Sequence, residues 1–267
     1  MNKLSLKESL MAILIKSKEE REKIRDAGRI VAAILAELRD AVRPGITTAE
    51  LDRLSVEALK HYGAKSSTLG YRGYPASLCT SVNEEVVHGI PGNRVLKEGD
   101  IISIDFAASY KGWHADSAIT VPVGKVEPDV ERLLKVTEEA LYKGIAAARA
   151  GKRLQDIGRA VQQHVEGAGF SVVRYYGGHG VGRSMHEDPQ VLNYIEPHAP
   201  NNVLKPGMVI AIEPMVIMGQ PDTLVLDDDW TVVTADKTFA AHFEHTVAIT
   251  EGEADILTLR DTKERGK

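Results

Sequence analysis

The chain opens with two stretches whose apolar positions recur every three to four residues. Ile24, Ala27, Val31, Ile34, Leu35 and Leu38 would line one face of a helix. Ser17 with Glu20 three residues on is a capping-box pattern at its start, and Pro44-Gly45 stops it after about Val42. Thr47 and Glu50 repeat the box, and Leu51, Leu54 and Leu59 carry a second helix toward Gly63. From Ser77 to Val123 the apolar residues turn β-branched and the punctuation turns to Gly and Pro, which predicts strands joined by turns. A second helical pair follows, on Val130, Leu133, Leu134, Leu141 and Ile145 as far as Gly151, then on Leu154, Ile157, Val161 and Val165 as far as Gly167 to Gly169. Another strand-rich stretch closes the chain. The order helix, helix, strands thus occurs twice, which predicts an internal repeat.

The repeat shows directly at one place. Leu96 to Asp105 (LKEGDIISID) aligns without gaps to Leu204 to Glu213 (LKPGMVIAIE), sharing five of ten residues. Lys-x-Gly is a common turn before a strand and explains the start of the match. It does not explain why both strands end in a carboxylate. The expected architecture is α+β in two related halves, about 17–124 and 125–252, within one domain spanning 11–267.

Composition narrows the function classes. At 267 residues the chain is long enough to bury a sizeable core. Its 33 Lys+Arg against 38 Asp+Glu give a net charge of -5, so the global basic footprint of a nucleic-acid binder is missing. The lone Cys79 excludes an internal disulfide framework and fits a reducing compartment. The apolar run Leu10 to Ile15 is too short to span a bilayer. A cytoplasmic protein without membrane or specific nucleic-acid partners is expected. Met11 begins MAILIKSKEE, which reads as a natural start, so residues 1–10 are expected to be a flexible extension.

The candidate chemistry lies on the strands. Asp105 follows Ile101-Ile102-Ser103-Ile104, where an unpaired buried carboxylate would be very costly. If Lys111-Gly112 makes a two-residue hairpin turn flanked by Tyr110 and Trp113, Asp105 lies opposite Ala118 and diagonal to Asp116 on the same face. A register shift would separate the two acids onto opposite faces. Two carboxylates on one face repel unless a cation lies between them. The second half offers His179 in the glycine-rich loop Gly177 to Gly182, Glu213 at the end of the repeated strand, and Glu244 in Phe243-Glu244-His245-Thr246-Val247. Two Asp, two Glu and one His form an oxygen-rich set suited to Mn, Fe, Co or Zn, and two divalent ions are needed to neutralise four carboxylates. His88, before Gly89-Ile90-Pro91, and His186, before Glu187-Asp188-Pro189, sit where neutral imidazoles could hold a peptide carbonyl or amide.

At these residues the chain resembles type I methionine aminopeptidase from about Ala12 to Thr250. The motifs that carry the resemblance are Asn83-x-x-x-x-His88-Gly89-Ile90-Pro91, Asp105 with Asp116 eleven residues on, Gly178-His179-Gly180-Val181-Gly182, His186-Glu187-x-Pro189, Ile212-Glu213-Pro214-Met215 and Phe243-Glu244-His245-Thr246. The resemblance implies the pita-bread fold, with helices packed on a curved antiparallel sheet. It implies that Asp105 chelates one ion, Asp116 and Glu244 bridge both, and His179 and Glu213 complete the other. His88, His186 and Glu213 are its catalytic residues. Its methionine pocket maps onto Tyr71, Tyr74, Cys79 and Trp230, with Met185 where the family often has an aromatic residue and Thr68 where some members have a second cysteine. The implied substrates are amino-terminal methionyl peptides of nascent chains with a small second residue, met as a monomer with transient ribosome association. Two rival readings share the fold. A prolidase-like enzyme usually has a large amino-terminal domain and Glu-Pro-Gly where this chain has Glu213-Pro214-Met215. A non-catalytic binding module would have lost metal ligands.

Overall fold

The structure is a computed structural model that describes residues 13–260. The expected extension, residues 1–10, lies outside the described residues. Four helices form at the predicted places: α1 (Lys18–Ala41), α2 (Thr48–Tyr62), α3 (Pro128–Ala147) and α4 (Leu154–Gly167). Both capping boxes are present, with Ser17 and Thr47 each accepting from the backbone N–H three residues on while Glu20 and Glu50 reach back. Each box satisfies two amide groups that the first helical turn leaves free. α2 ends at Gly63, whose left-handed backbone lets its N–H reach the last carbonyls.

The predicted apolar faces are the buried ones. Ile24, Ala27, Val31, Ile34, Leu35 and Leu38 of α1 meet strand residues Ile102, Ile104, Phe106 and Ala115 in one core. That core also takes in Leu141, Ile145, Ile157, Ile210, Ile212 and Val247 from the second half of the chain. A smaller cluster lies under α3 and α4, with Leu133, Val161 and Val165 against Val172 and Val216.

At the centre is a long antiparallel hairpin, Ile101–Tyr110 with Trp113–Pro122, turning through Lys111-Gly112. Both turn residues have positive φ, the geometry whose twist matches that of the flanking strands. The register is the predicted one: Tyr110 pairs with Trp113, Ala107 with Asp116 and Asp105 with Ala118. In the second half Val209–Ile212 pairs with His245–Ala248, and Met215–Ile217 with Ala240–His242, again antiparallel. All the paired strands of the structure are antiparallel.

The two halves repeat each other bond for bond around these ladders. Gly99 N–H donates to Val123 O and Val123 N–H returns to Asp100 O; Gly207 donates to Ile249 O and Ile249 returns to Met208 O. The bridge Thr47–Val95 recurs as Arg153–Val203. The shared Lys-x-Gly segment is thus a turn with its glycine at φ 90° and 91°. Only the second of the two strands stops at its carboxylate; the first, expected to end at Asp105, continues to Tyr110 on its pairing with the hairpin partner.

Candidate active site and metal centre

The acids of the two repeated segments, Asp105 and Glu213, come to one spot between the halves. Asp105 and Asp116 lie diagonal across the hairpin, and burial, reinforced by the neighbouring Asp116, pushes the Asp105 carboxyl up. Glu213 follows Ile212, which pairs with His245, so one step further along the ladder Glu213 comes opposite Glu244. The halves are cross-linked just behind the acids. Asp116 N–H donates to Thr246 Oγ1, Thr246 Oγ1 donates to Asp116 O, and Ser117 Oγ donates to the Glu244 carbonyl at 2.6 Å.

His179 corrects the sequence reading. Its glycine-rich segment was expected as a loop, yet Gly177–Gly180 is a strand between Glu187–Leu192 and Val209–Ile212. Glycines are used here because the neighbours crowd in: a Cβ on Gly178 would run into the Ala211 carbonyl, and one on Gly180 into the Asp188 carbonyl. The His179 ring is thereby pinned. Its Nδ1 lies 3.0 Å from the Gly180 carbonyl and can donate to it, leaving Nε2 as a free donor atom 3.9 Å from Asp116 Oδ2 and 3.7 Å from Glu213 Oε1. A metal-binding imidazole is commonly fixed in this way, by a backbone carbonyl on the ring nitrogen that does not meet the ion.

Ligand atoms of Asp116, His179 and Glu244 all lie within 4.8 Å of one another. Asp105 joins them through Asp116, and Glu213 through His179. Asp116 Oδ1 and Glu244 Oε1 are buried without a hydrogen-bond partner. Burial pushes Asp105, Asp116 and Glu244 above the usual carboxylate range, and burial together with the neighbouring Asp116 pushes Glu213 up to about 8. Four acids that resist ionising together, two of them with orphaned oxygens, call for positive charge at their centre. The donor set fits two divalent ions, with one imidazole among carboxylates.

Two more histidines border this centre. The His186 ring centroid lies 4.1 Å from that of His179, and its Nδ1 is 2.9 Å from the Tyr71 hydroxyl. Burial, with smaller contributions from His179 and the Arg72 cation, lowers the His186 pKa to about 3, so the ring is neutral at physiological pH. His88 has left-handed backbone at φ 60°, meets the rings of Tyr176 and Trp230 edge-on, and is also held neutral by burial. The segment carrying Met185 and His186 is fastened by Glu187. One Glu187 oxygen accepts from the Arg183 and Ser184 N–H groups, and the other pairs with Lys16 Nζ at 2.5 Å. Both side chains of that pair are nearly buried, at 4% and 9% exposure.

The residues expected to form a side-chain pocket come together. A cavity of about 330 Å³ is lined by Thr68, Tyr71, Tyr74, Cys79, Met185 and Trp230, with Asp105 and Asp116 also on its wall. Tyr74 Oη donates to the Gly89 carbonyl at 2.9 Å, and the Trp230 ring stands edge-on to Tyr74. Asp228 accepts the Trp230 N–H and so fixes an edge of the pocket. A second cavity, of about 360 Å³, shares the same carboxylates and opens past Tyr175, Tyr176, Gln190 and Met215. A larger surface hollow of about 760 Å³, between Ile13, Ile15 and Val203, contains none of the five metal-site side chains and neither His88 nor His186.

The sequence reading missed His242. It is 1% exposed, neither ring nitrogen has a partner, and its Nε2 lies 3.9 Å from Glu213 Oε2. Its pairing with Met215 repeats that of Asp116 with Ala107, so His242 stands in the second half where Asp116 stands in the first. Extending the repeat beyond its ten aligned residues was the signal that could have found it.

Fold and site together describe a metallopeptidase, and the comparisons agree. The model of metallopeptidase family M24 matches residues 22–251. The chain belongs to that family. Within it the chain groups with the methionine aminopeptidases: it is 54% identical to methionine aminopeptidase 1 of Bacillus subtilis over 92% of this chain and 99% of the relative. It superposes on the methionine aminopeptidase of Thermotoga maritima with a TM-score of 0.90 at 46% identity, covering 94% of this chain and 100% of the other. The prolidase of Pyrococcus furiosus is more distant, with a TM-score of 0.76 at 25% identity over 93% of this chain and 66% of the prolidase. Among the described residues no helix is long and apolar enough to cross a membrane.

Proposed function

We propose that the chain is a metal-dependent methionine aminopeptidase that removes the initiator methionine from new proteins when the second residue is small. The observation that carries this reading is the junction of the two cavities. The acid cluster lies between a slot lined by aromatic and sulfur-bearing side chains and a second space leading outward. An unbranched thioether suits that slot, because aromatic rings make favourable contacts with sulfur. With methionine in the slot, its free amino group reaches the acids, so only a chain terminus can be cut.

Asp105, Asp116, His179, Glu213 and Glu244 are the side chains that would hold the two divalent ions. Bound divalent ions supply Lewis acidity, which activates a water and polarises the scissile carbonyl. Glu213 takes the proton from the attacking water and passes it to the leaving amine. His186, neutral and steadied by Tyr71, donates a hydrogen bond to the oxygen on which charge develops. His88, fixed by its backbone and its ring neighbours, positions the scissile nitrogen. A bulky second side chain would crowd the acids where the cavities meet.

On this reading residues 11–267 act as one catalytic domain of two halves, 17–124 and 125–252. The enzyme works in the cytoplasm as a monomer that visits the ribosome transiently. The test is methionine release from Met-Ala-Ser, Met-Lys-Ser and Ala-Pro-Ser alongside metal analysis of the purified protein. Release from Met-Ala-Ser, little from Met-Lys-Ser and none from the proline peptide is expected, with Asp116→Ala reducing turnover by at least about 100-fold. Preference for Ala-Pro-Ser, or full turnover by the Asp116 variant, would refute it.

A further inference from the structure

Arg72 lies next to Tyr71 in a tight turn and, among the described residues, is the one Lys or Arg that lines both cavities at the acid cluster. Its backbone is left-handed, at φ 50° and ψ 22°, a conformation that costs a non-glycine residue energy and clusters at functional sites. The residue is exposed, and its guanidinium lies 5.5 Å from the centre of the Tyr71 ring. Among the described residues it makes no ion pair with a carboxylate. Two divalent ions would offset the charge of the four acids. In the working enzyme Arg72 is then the charge left unbalanced at the mouth.

We propose that Arg72 is a specificity-determining residue that favours substrates with an acidic side chain at the third position. This rests on the aminopeptidase reading above. The first side chain fills the slot, and the second must be small where the cavities meet. An extended peptide advances about 3.3 Å per residue and alternates its side chains. The third residue is therefore the first that can carry a large polar group past the acids, where the guanidinium waits. A planar, permanently charged fork on a rigid turn suits a carboxylate and repels an ammonium group.

The experiment compares kcat/KM for Met-Ala-Glu-Ser, Met-Ala-Gln-Ser and Met-Ala-Lys-Ser in the metal-loaded enzyme at low and high salt. The glutamate peptide is expected to lead the lysine peptide by about three- to fivefold at low salt, the range of a partly exposed ion pair. The ratio shrinks with added salt, falls to about one in Arg72→Gln, inverts in Arg72→Glu and survives in Arg72→Lys. Equal cleavage of all three by the unaltered enzyme, or a ratio untouched by Arg72→Gln and Arg72→Glu, would overturn the assignment. No methionine release from any of the three would instead overturn the aminopeptidase reading beneath it.

Discussion

Burying one carboxylate is costly, and this fold buries Asp116 and Glu244 and half-buries Asp105 and Glu213 at one point. Without ions that arrangement makes stability depend on pH in an unusual direction. In the ion-free fold Glu213 holds its proton up to about pH 8, against an ordinary 4.5. Its share of stability is complete below 4.5 and is lost as pH climbs through 8, because the unfolded chain releases that proton earlier. Asp105, Asp116 and Glu244 are shifted the same way by burial. Ion binding needs the acids deprotonated, so its stabilisation grows across the same interval. The Tm of chelator-stripped protein should fall between about pH 5 and 8 while that of loaded protein does not, and Glu213→Gln should flatten part of the stripped protein's slope. Differential scanning fluorimetry across that range decides it; parallel curves would mean that the acids titrate as if exposed.

The element scale shows what could be read from sequence and what could not. The helices were legible because capping boxes and apolar spacing are local signals, and Ser17, Glu20, Thr47 and Glu50 do what their spacing says. The Asp105–Asp116 diagonal was legible because a two-residue turn fixes a hairpin's register. The Gly177–Gly180 strand was not, since glycines forced by crowding look in sequence like glycines of a loop. Nor was His242, whose meaning comes from a pseudo-symmetric place. The pairing of Lys16 with Glu187 is equally non-local, and it carries a prediction. The segment before α1 is bound to the second half by Lys16 N–H donating to the Gly207 carbonyl, and its ammonium holds the carboxylate that fastens the His186 segment. Lys16→Met leaves that carboxylate buried without its cation, a loss of about 3 to 5 kcal/mol if the segment cannot open. Opening is the cheaper response. Faster hydrogen exchange at residues 183–187 and lower kcat are expected, with Lys16→Arg closer to the original; unchanged exchange would show that the backbone bonds suffice.

At the scale of the whole molecule, neither half owns the site. Asp105 and Asp116 come from the first ladder, while His179, Glu213 and Glu244 come from the second. The ladders meet through Asp116–Thr246 and Ser117–Glu244 hydrogen bonds, and the largest core cluster runs through both halves. The ions would then act as a clasp as well as a reagent, closing a seam that hydrogen bonds and core packing hold less tightly without them. Severing the chain in the turn at Gly124-Lys125 and producing the fragments 1–124 and 125–267 together should yield a complex that survives gel filtration with divalent ions and separates in chelator. Chemistry and assembly would thus draw on one set of side chains, and a variant that weakens the grip on metal would loosen the join between the halves before it altered the shape of either.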